Sequence, residues 1–195
     1  MKKAKRLIAT LFIVVGAVLL LGSVAVSVMQ YQSKKIQVKQ FHKVMHEVRA
    51  AKERGNKPKK VKLPQGVLYV LRIPKIDTED PVKEGVSKSA LAAALGHESS
   101  TVNPGETGNC VIAGHRNYTF GKFFNRLDEV ECGDRIYIDT PEETYTYQVQ
   151  SVKVVEPTEI SILENTSEEQ LTLYTCTPIY IATHRLVVIA KRIKE

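Results

Sequence analysis

Cys176 ends a β-type run, Leu171–Thr177, which Pro178 stops, and Arg185 opens the next such run nine residues after the cysteine. A thiol delivered to the mouth of a strand, just before a loop, is placed where a nucleophile can meet a substrate. The same stretch suits a half-buried structural cysteine equally well, because cysteine is among the most buried residue types. A nucleophile needs thiolate character, and nearby cations favour the charged form. In an antiparallel pair closed by so short a loop, Arg185 can face Cys176 across the strand ends and hold a thiolate or a developing oxyanion with fixed positive charge. Its neighbour His184 points to the opposite face, because strand side chains alternate, so Arg185 is the residue expected to face the thiol.

Such chemistry also needs an acid/base, for which histidine is the usual choice. His115 ranks first: it follows a small apolar run, Asn109–Ala113, and Gly114, a position that favours exposure at a sheet edge. His184 and His97 are the alternatives, and a structural or loop role is the commoner one for His97 after Gly96. His42 and His46 lie in a basic N-terminal stretch and are expected to be solvated. Cys110, within a strand, and Cys132, in a Glu-Cys-Gly-Asp turn, are expected to be structural. Three cysteines without a CxxC spacing support neither a zinc site nor a disulfide framework. The sequence shows no metal-ligand cluster and no cofactor motif.

The elements that must position these residues begin near Gln65. Val67–Ile73 is strand-like, and a brief extended piece follows Pro81. Ser87–Leu95 suits a helix capped by Ser87 and ended by Gly96. Phe120–Val130 suits a helical turn or two with Phe123, Phe124 and Leu127 inward. Arg135–Asp139 and Thr144–Val155 are strand-like, a helical turn is expected at Ile160–Leu163, and two strands flank Cys176. Seven or eight short strands in about 130 residues predict a mainly β domain, a closed or nearly closed barrel or a sandwich.

Ahead of that domain the chain is basic. The formal net charge is +7, but residues 1–64 hold 15 Lys/Arg against 2 Asp/Glu, a net of +13, leaving −6 for residues 65–195. A nucleic-acid footprint would put the basic patch on the folded domain, so no nucleic-acid partner is expected. Leu7–Met29 is an uncharged apolar run of 23 residues. At about 1.5 Å per residue it spans a hydrocarbon core of roughly 30 Å. Ala25-Val26-Ser27 would serve as a signal-peptide cleavage site, but signal h-regions are usually only about 7–15 residues, so an uncleaved anchor is favoured. The organisation expected is 1–6 cytoplasmic, 7–29 transmembrane, 30–64 a basic, partly helical stalk and linker, and 65–195 the folded domain. Lys2, Lys3, Lys5 and Arg6 crowd the span more tightly than Lys34, Lys35, Lys39 and Lys43 do, which orients the domain outside the cytoplasm. Removal of 1–64 is expected to leave a folded domain, unless the amphipathic stalk lies on it.

Three blocks in order carry a resemblance. Thr172-Leu173-Tyr174-Thr175-Cys176 resembles the Thr-Leu-x-Thr-Cys signature of the sortases, membrane-anchored transpeptidases of Gram-positive bacteria. Pro104–Asn109 through Ala113-Gly114-His115-Arg116 is similar to the sortase histidine segment, and Thr177-Pro178 with Thr183–Val188 to its arginine segment. The resemblance covers about residues 66–193 and implies an eight-stranded sortase β-barrel. It also implies roles: Cys176 the nucleophile, His115 the acid/base, Arg185 the transition-state stabiliser, and Thr175 a substrate- or oxyanion-orienting residue. The implied reaction cleaves an LPxTG- or LPxTA-like sorting signal after Thr through a thioester on Cys176. A cell-wall precursor or peptidoglycan amine then resolves the thioester. Thr-Cys-Thr-Pro and Thr-His-Arg-Leu resemble class C and class D wording. Class C enzymes usually carry an Asp-Pro-aromatic lid and a second, C-terminal span. Here Asp80-Pro81 is followed by Val82 and the chain ends at Glu195 without that span, so class D is favoured. Gly96-His97-Glu98-Ser99 departs from relatives that have an aromatic and proline there. The alternatives are a pilin-polymerising class C enzyme, a thiol hydrolase, or a non-catalytic surface binding domain.

Overall fold

Alternating runs that each bury one face against a common core can leave no edge unpaired if the sheet closes on itself. The computed structural model describes residues 2–55, 63–116 and 123–194, and eight strands close in this way. They are β1 (Val67–Ile73), β2 (Thr78–Glu84), β3 (Leu95–His97), β4 (Gly108–Ala113), β5 (Arg135–Asp139), β6 (Thr144–Val155), β7 (Glu169–Thr177) and β8 (His184–Ile193). Around the barrel the order is β1-β2-β3-β4-β7-β8-β6-β5. The expected eight-stranded barrel is therefore the fold. Inward residues such as Leu71, Ile112, Ile138, Tyr147, Leu173 and Val188 fill it.

Two local expectations are corrected. The helix expected over Ser87–Leu95 is a single turn, α2 (Lys88–Leu91), with Ser87 accepting from the Ala90 N–H as its cap. Leu95–His97 instead forms β3, parallel to β2 and antiparallel to β4. Gly96 does not end a helix; it permits close strand approach, since a Cβ there would lie 2.4 Å from the Gly85 carbonyl oxygen. The extended piece placed after Pro81 begins earlier, at Thr78, and runs through the proline. Pairing of β2 with β3 starts only at Val82, so at Pro81 the second edge has no strand to supply, and a residue without an N–H fits there. Residues 124–129 form the expected turn, as a 3₁₀ helix burying Phe124 and Leu127, with Phe123 packed against the core; residues 120–122 lie outside the described residues.

The helix α1 runs Lys2–Glu53, and the chain divides into two units, Met1–Ile36 and Gln37–Glu195. In the first unit the apolar side chains are exposed, Leu7 and Phe12 each at 72 %. This helix is long and apolar enough to cross a membrane. The second unit begins inside the segment read from sequence as stalk. Phe41 is fully buried and clusters with Val38, Val67 and Val70. A bulge between Val67 and Tyr69 shifts the side-chain parity and puts Val67 on the same outer face as Val70, so β1 is apolar on both faces. Arg49 donates to the Thr140 carbonyl (3.3 Å) and the Thr144 hydroxyl (3.0 Å). His42, expected to be solvated, instead has Nε2 buried at 3.6 Å from Glu79 and 3.9 Å from Asp139, whereas His46 is exposed. The part of the helix within the second unit thus lies on the barrel, on the β1 and β5 wall.

Candidate active site

Strand pairing brings distant parts of the chain to one end of the barrel. In β7, Tyr174 pairs with Val187 of β8, Cys176 with Arg185 and Thr177 with His184. On the other side β7 runs parallel to β4, with Ala113 opposite Tyr174. The parallel register carries β4 to its end beside the end of β7, so the turn after Ala113 emerges next to Cys176. Gly114 makes this approach possible: a Cβ there would lie 2.2 Å from the Phe124 ring and 2.8 Å from Leu95. Its N–H donates to the Tyr174 carbonyl at 3.0 Å, and its carbonyl accepts from the buried Thr175 hydroxyl at 2.7 Å.

Cys176, His115 and Arg185 line one cavity of about 310 Å³, with Tyr174 and Thr175 beside them. The connection between β6 and β7 supplies Pro157, Ile160 and Leu163 as the opposite wall. Cys176 is half-buried and His115 exposed, so both can be reached by a peptide. The Arg185 guanidinium is steered by the main chain, donating to the His184 carbonyl at 3.0 Å and the Ala182 carbonyl at 3.5 Å. Tyr174 gives its hydroxyl proton to Glu98 at 2.7 Å. Burial, and then that carboxylate, push its phenol well above the ordinary range, so it stays neutral on the cavity wall. Ile160, Ile162 and Leu163 make the side formed by that connection largely apolar, with Glu159 adding a carboxylate, and Arg185 brings a cation to the β8 side. That arrangement suits a peptide whose carbonyl is attacked beside a positive charge.

The other candidates are elsewhere. His184 turns away toward Glu156, Nε2 to Oε1 at 3.2 Å. His97 is 3 % exposed, bonded to the Val102 carbonyl at 3.1 Å and edge-on to the Tyr69 ring. All three cysteines are free. Burial holds the Cys110 thiol far above the ordinary cysteine value, while Cys132 is exposed and donates to the Gln150 carbonyl.

A sequence model described as the Sortase domain matches residues 71–193. The chain belongs to the sortase family. It is 34 % identical over 128 residues to sortase D of Bacillus subtilis, covering 64 % of this chain and 63 % of that one. It is 31 % identical over 142 residues to sortase SrtE1 of Streptomyces coelicolor, covering 65 % and 40 %. Among solved structures, a Clostridium perfringens sortase D5 transpeptidase superposes with a TM-score of 0.68 at 28 % identity, covering 83 % of this chain and 98 % of that one. The match thus spans 40 % and 63 % of the two relatives' own lengths.

Part of this sortase's cavity comes from residues outside the expected site. Tyr174, inside the cysteine motif, also lines it, and the signal is its spacing: it shares the Cys176 face two residues away. Ile160 and Leu163 carried a signal, being apolar in an otherwise polar connection. Arg116, beside His115 in the histidine segment, lies outside the cavity lining, and its neighbours in sequence carry no signal for a role.

Proposed function

We propose that this sortase is a membrane-anchored cysteine transpeptidase of the protein-anchoring, class D kind. It acts outside the cytoplasm on LPxTG- or LPxTA-like sorting signals. The convergence of Cys176, His115 and Arg185 on one cavity of about 310 Å³ carries this reading. The similarity to sortase D of Bacillus subtilis supports the class, and the exposed apolar segment 7–29 supports the anchor.

In this reading the Cys176 thiolate attacks the carbonyl carbon of the signal's threonine, forming a C–S bond. Arg185 faces the negative charge that develops on the carbonyl oxygen, where a preoriented cation counts most. His115 gives a proton to the leaving amine as the C–N bond breaks, and the thioester remains. A second amine, from a cell-wall precursor, attacks it and loses a proton to His115, returning Cys176. Splitting one hard acyl transfer into two easier steps is the purpose of the covalent intermediate. The open rim of the cavity admits both peptide and acceptor.

The test is mass spectrometry of the enzyme with LPxTG- and LPxTA-type peptides, with and without an added amine. An adduct on Cys176, absent in Cys176→Ala and discharged faster by the amine, is the expected result. No adduct with any sorting peptide would overturn the reading, and discharge to water alone would make the protein a thiol hydrolase.

A further inference from the structure

We propose that Arg116 and Thr175 form a two-sided clamp that holds His115 in register with Cys176, which makes Arg116 a positioning residue for the reaction. The inference rests on the transpeptidase reading above and deepens it.

His115 poses a physical problem. It follows the last residue of β4 by two positions and its side chain is exposed, so neither ladder pairing nor packing of the ring fixes it. Yet an acid/base must stay within hydrogen-bond reach of the groups it serves. The residues flanking it are the ones held. On one side Gly114 accepts from Thr175, the residue before Cys176, at 2.7 Å. On the other side Arg116 Nη1 donates to the hydroxyl of Thr177, the residue after Cys176, at 2.9 Å. Both neighbours of the histidine are therefore tied to both neighbours of the cysteine, and in the same order.

The Arg116 tie is built to be stiff. Its side chain is only 7 % exposed, and Nη2 meets the Asp128 carboxylate at 2.8 Å. Arg116 also forms a backbone bridge with Phe123. One guanidinium thus joins the histidine turn, the end of β7 and the 3₁₀ helix at 124–129. A planar fork can serve two acceptors at once in fixed geometry, which a lysine ammonium on a flexible stem does not. Strand alternation turns the Thr177 side chain to the face opposite Cys176, so Arg116 acts through the backbone that carries the pair and does not touch the thiol.

The test compares full-length wild type, Arg116→Lys, Thr177→Val, Thr177→Ser and the double variant Arg116→Lys/Thr177→Val. Each is measured for peptide turnover, for the pH profile of kcat/KM, and for the pH profile of Cys176 alkylation by iodoacetamide. Thr177→Val and Arg116→Lys are expected to lower kcat on the order of 10- to 100-fold, the scale of an ångström of misplacement. KM should stay within about twofold, and both pH profiles should move. Thr177→Ser, which keeps the hydroxyl, should restore turnover, and the double variant should lose no more than the worse single one. A folded Thr177→Val enzyme with wild-type kcat and pH profiles overturns the clamp, as do additive losses in the double variant. If Arg116→Lys fails to fold, the two Thr177 variants decide. Wild type that forms no acyl-enzyme would overturn the transpeptidase reading instead, because the alkylation profile reports on the pair without any peptide.

Discussion

At the scale of residues, the proposed electrostatic role of Arg185 rests on how the main chain holds it. It pairs in register with Cys176, lines the same cavity, and is steered by two backbone carbonyls before any substrate arrives. Both carbonyls accept from Nη1 alone; lysine would keep the charge but, once its single nitrogen is held there, has no second nitrogen to present to a substrate. Arg185→Lys is expected to lower kcat/KM on the order of 10²-fold, with the loss mainly in kcat, in a steady-state assay with a sorting peptide. Near-normal turnover would remove the oxyanion role. The hydroxyl of Thr175 already gives its proton to Gly114, so its contribution lies first in holding the histidine turn.

At the scale of elements, the docked part of α1 stands on a polar network as well as on Phe41. Asp139 at the end of β5 accepts from Arg72 at 2.6 and 3.1 Å and from Thr144 at 2.6 Å, and Thr144 in turn accepts from Arg49 of the helix. Burial alone would push the Asp139 carboxyl up, but the Arg72 and Thr144 hydrogen bonds outweigh it and hold the carboxyl below its ordinary value. A carboxyl that is more acidic folded than unfolded stabilises the fold above the unfolded value of about 3.9. That contribution is lost as pH falls through the lower, folded value. Urea midpoints measured from about pH 6 down to pH 2 should therefore drop for wild type, and the drop should be smaller in Asp139→Asn. Equal acid sensitivity in the two proteins would place the titrating group elsewhere.

At the scale of the whole molecule, the second unit starts at Gln37, well before the first strand. Around the barrel β1 is four places from β7 in a ring of eight, so the helix docked at β1 and β5 covers the wall across from the cavity and leaves Cys176 accessible. A chain of residues 37–195 is expected to be soluble and to unfold cooperatively. One of residues 65–195 exposes Val67 and Val70, each otherwise buried and each worth about 1.5–3 kcal/mol. Against a typical total of about 5–15 kcal/mol, the shorter chain should show a clearly lower urea midpoint and should aggregate. Equal midpoints would mean the helix contributes nothing to the barrel.

The sequence by itself determined the local and periodic features. These were the apolar run at 7–29, the alternating strands, the cap at Ser87, and a cysteine and an arginine at the two ends of one hairpin. Each depends on neighbours a few residues apart, where side-chain period and turn chemistry act directly. The tertiary structure decided what rests on contacts between distant segments. It drew Leu95–His97 out of a helix-like run into β3, because β2 and β4 offered it hydrogen bonds on both edges. It seated Phe41 on an outer face of β1 that only a bulge makes apolar. It also set His115 beside Cys176, which lies 61 residues away, through the parallel register of β4 on β7. No pattern within either segment encodes that register; burial of both faces of β4 and the closure of the barrel impose it.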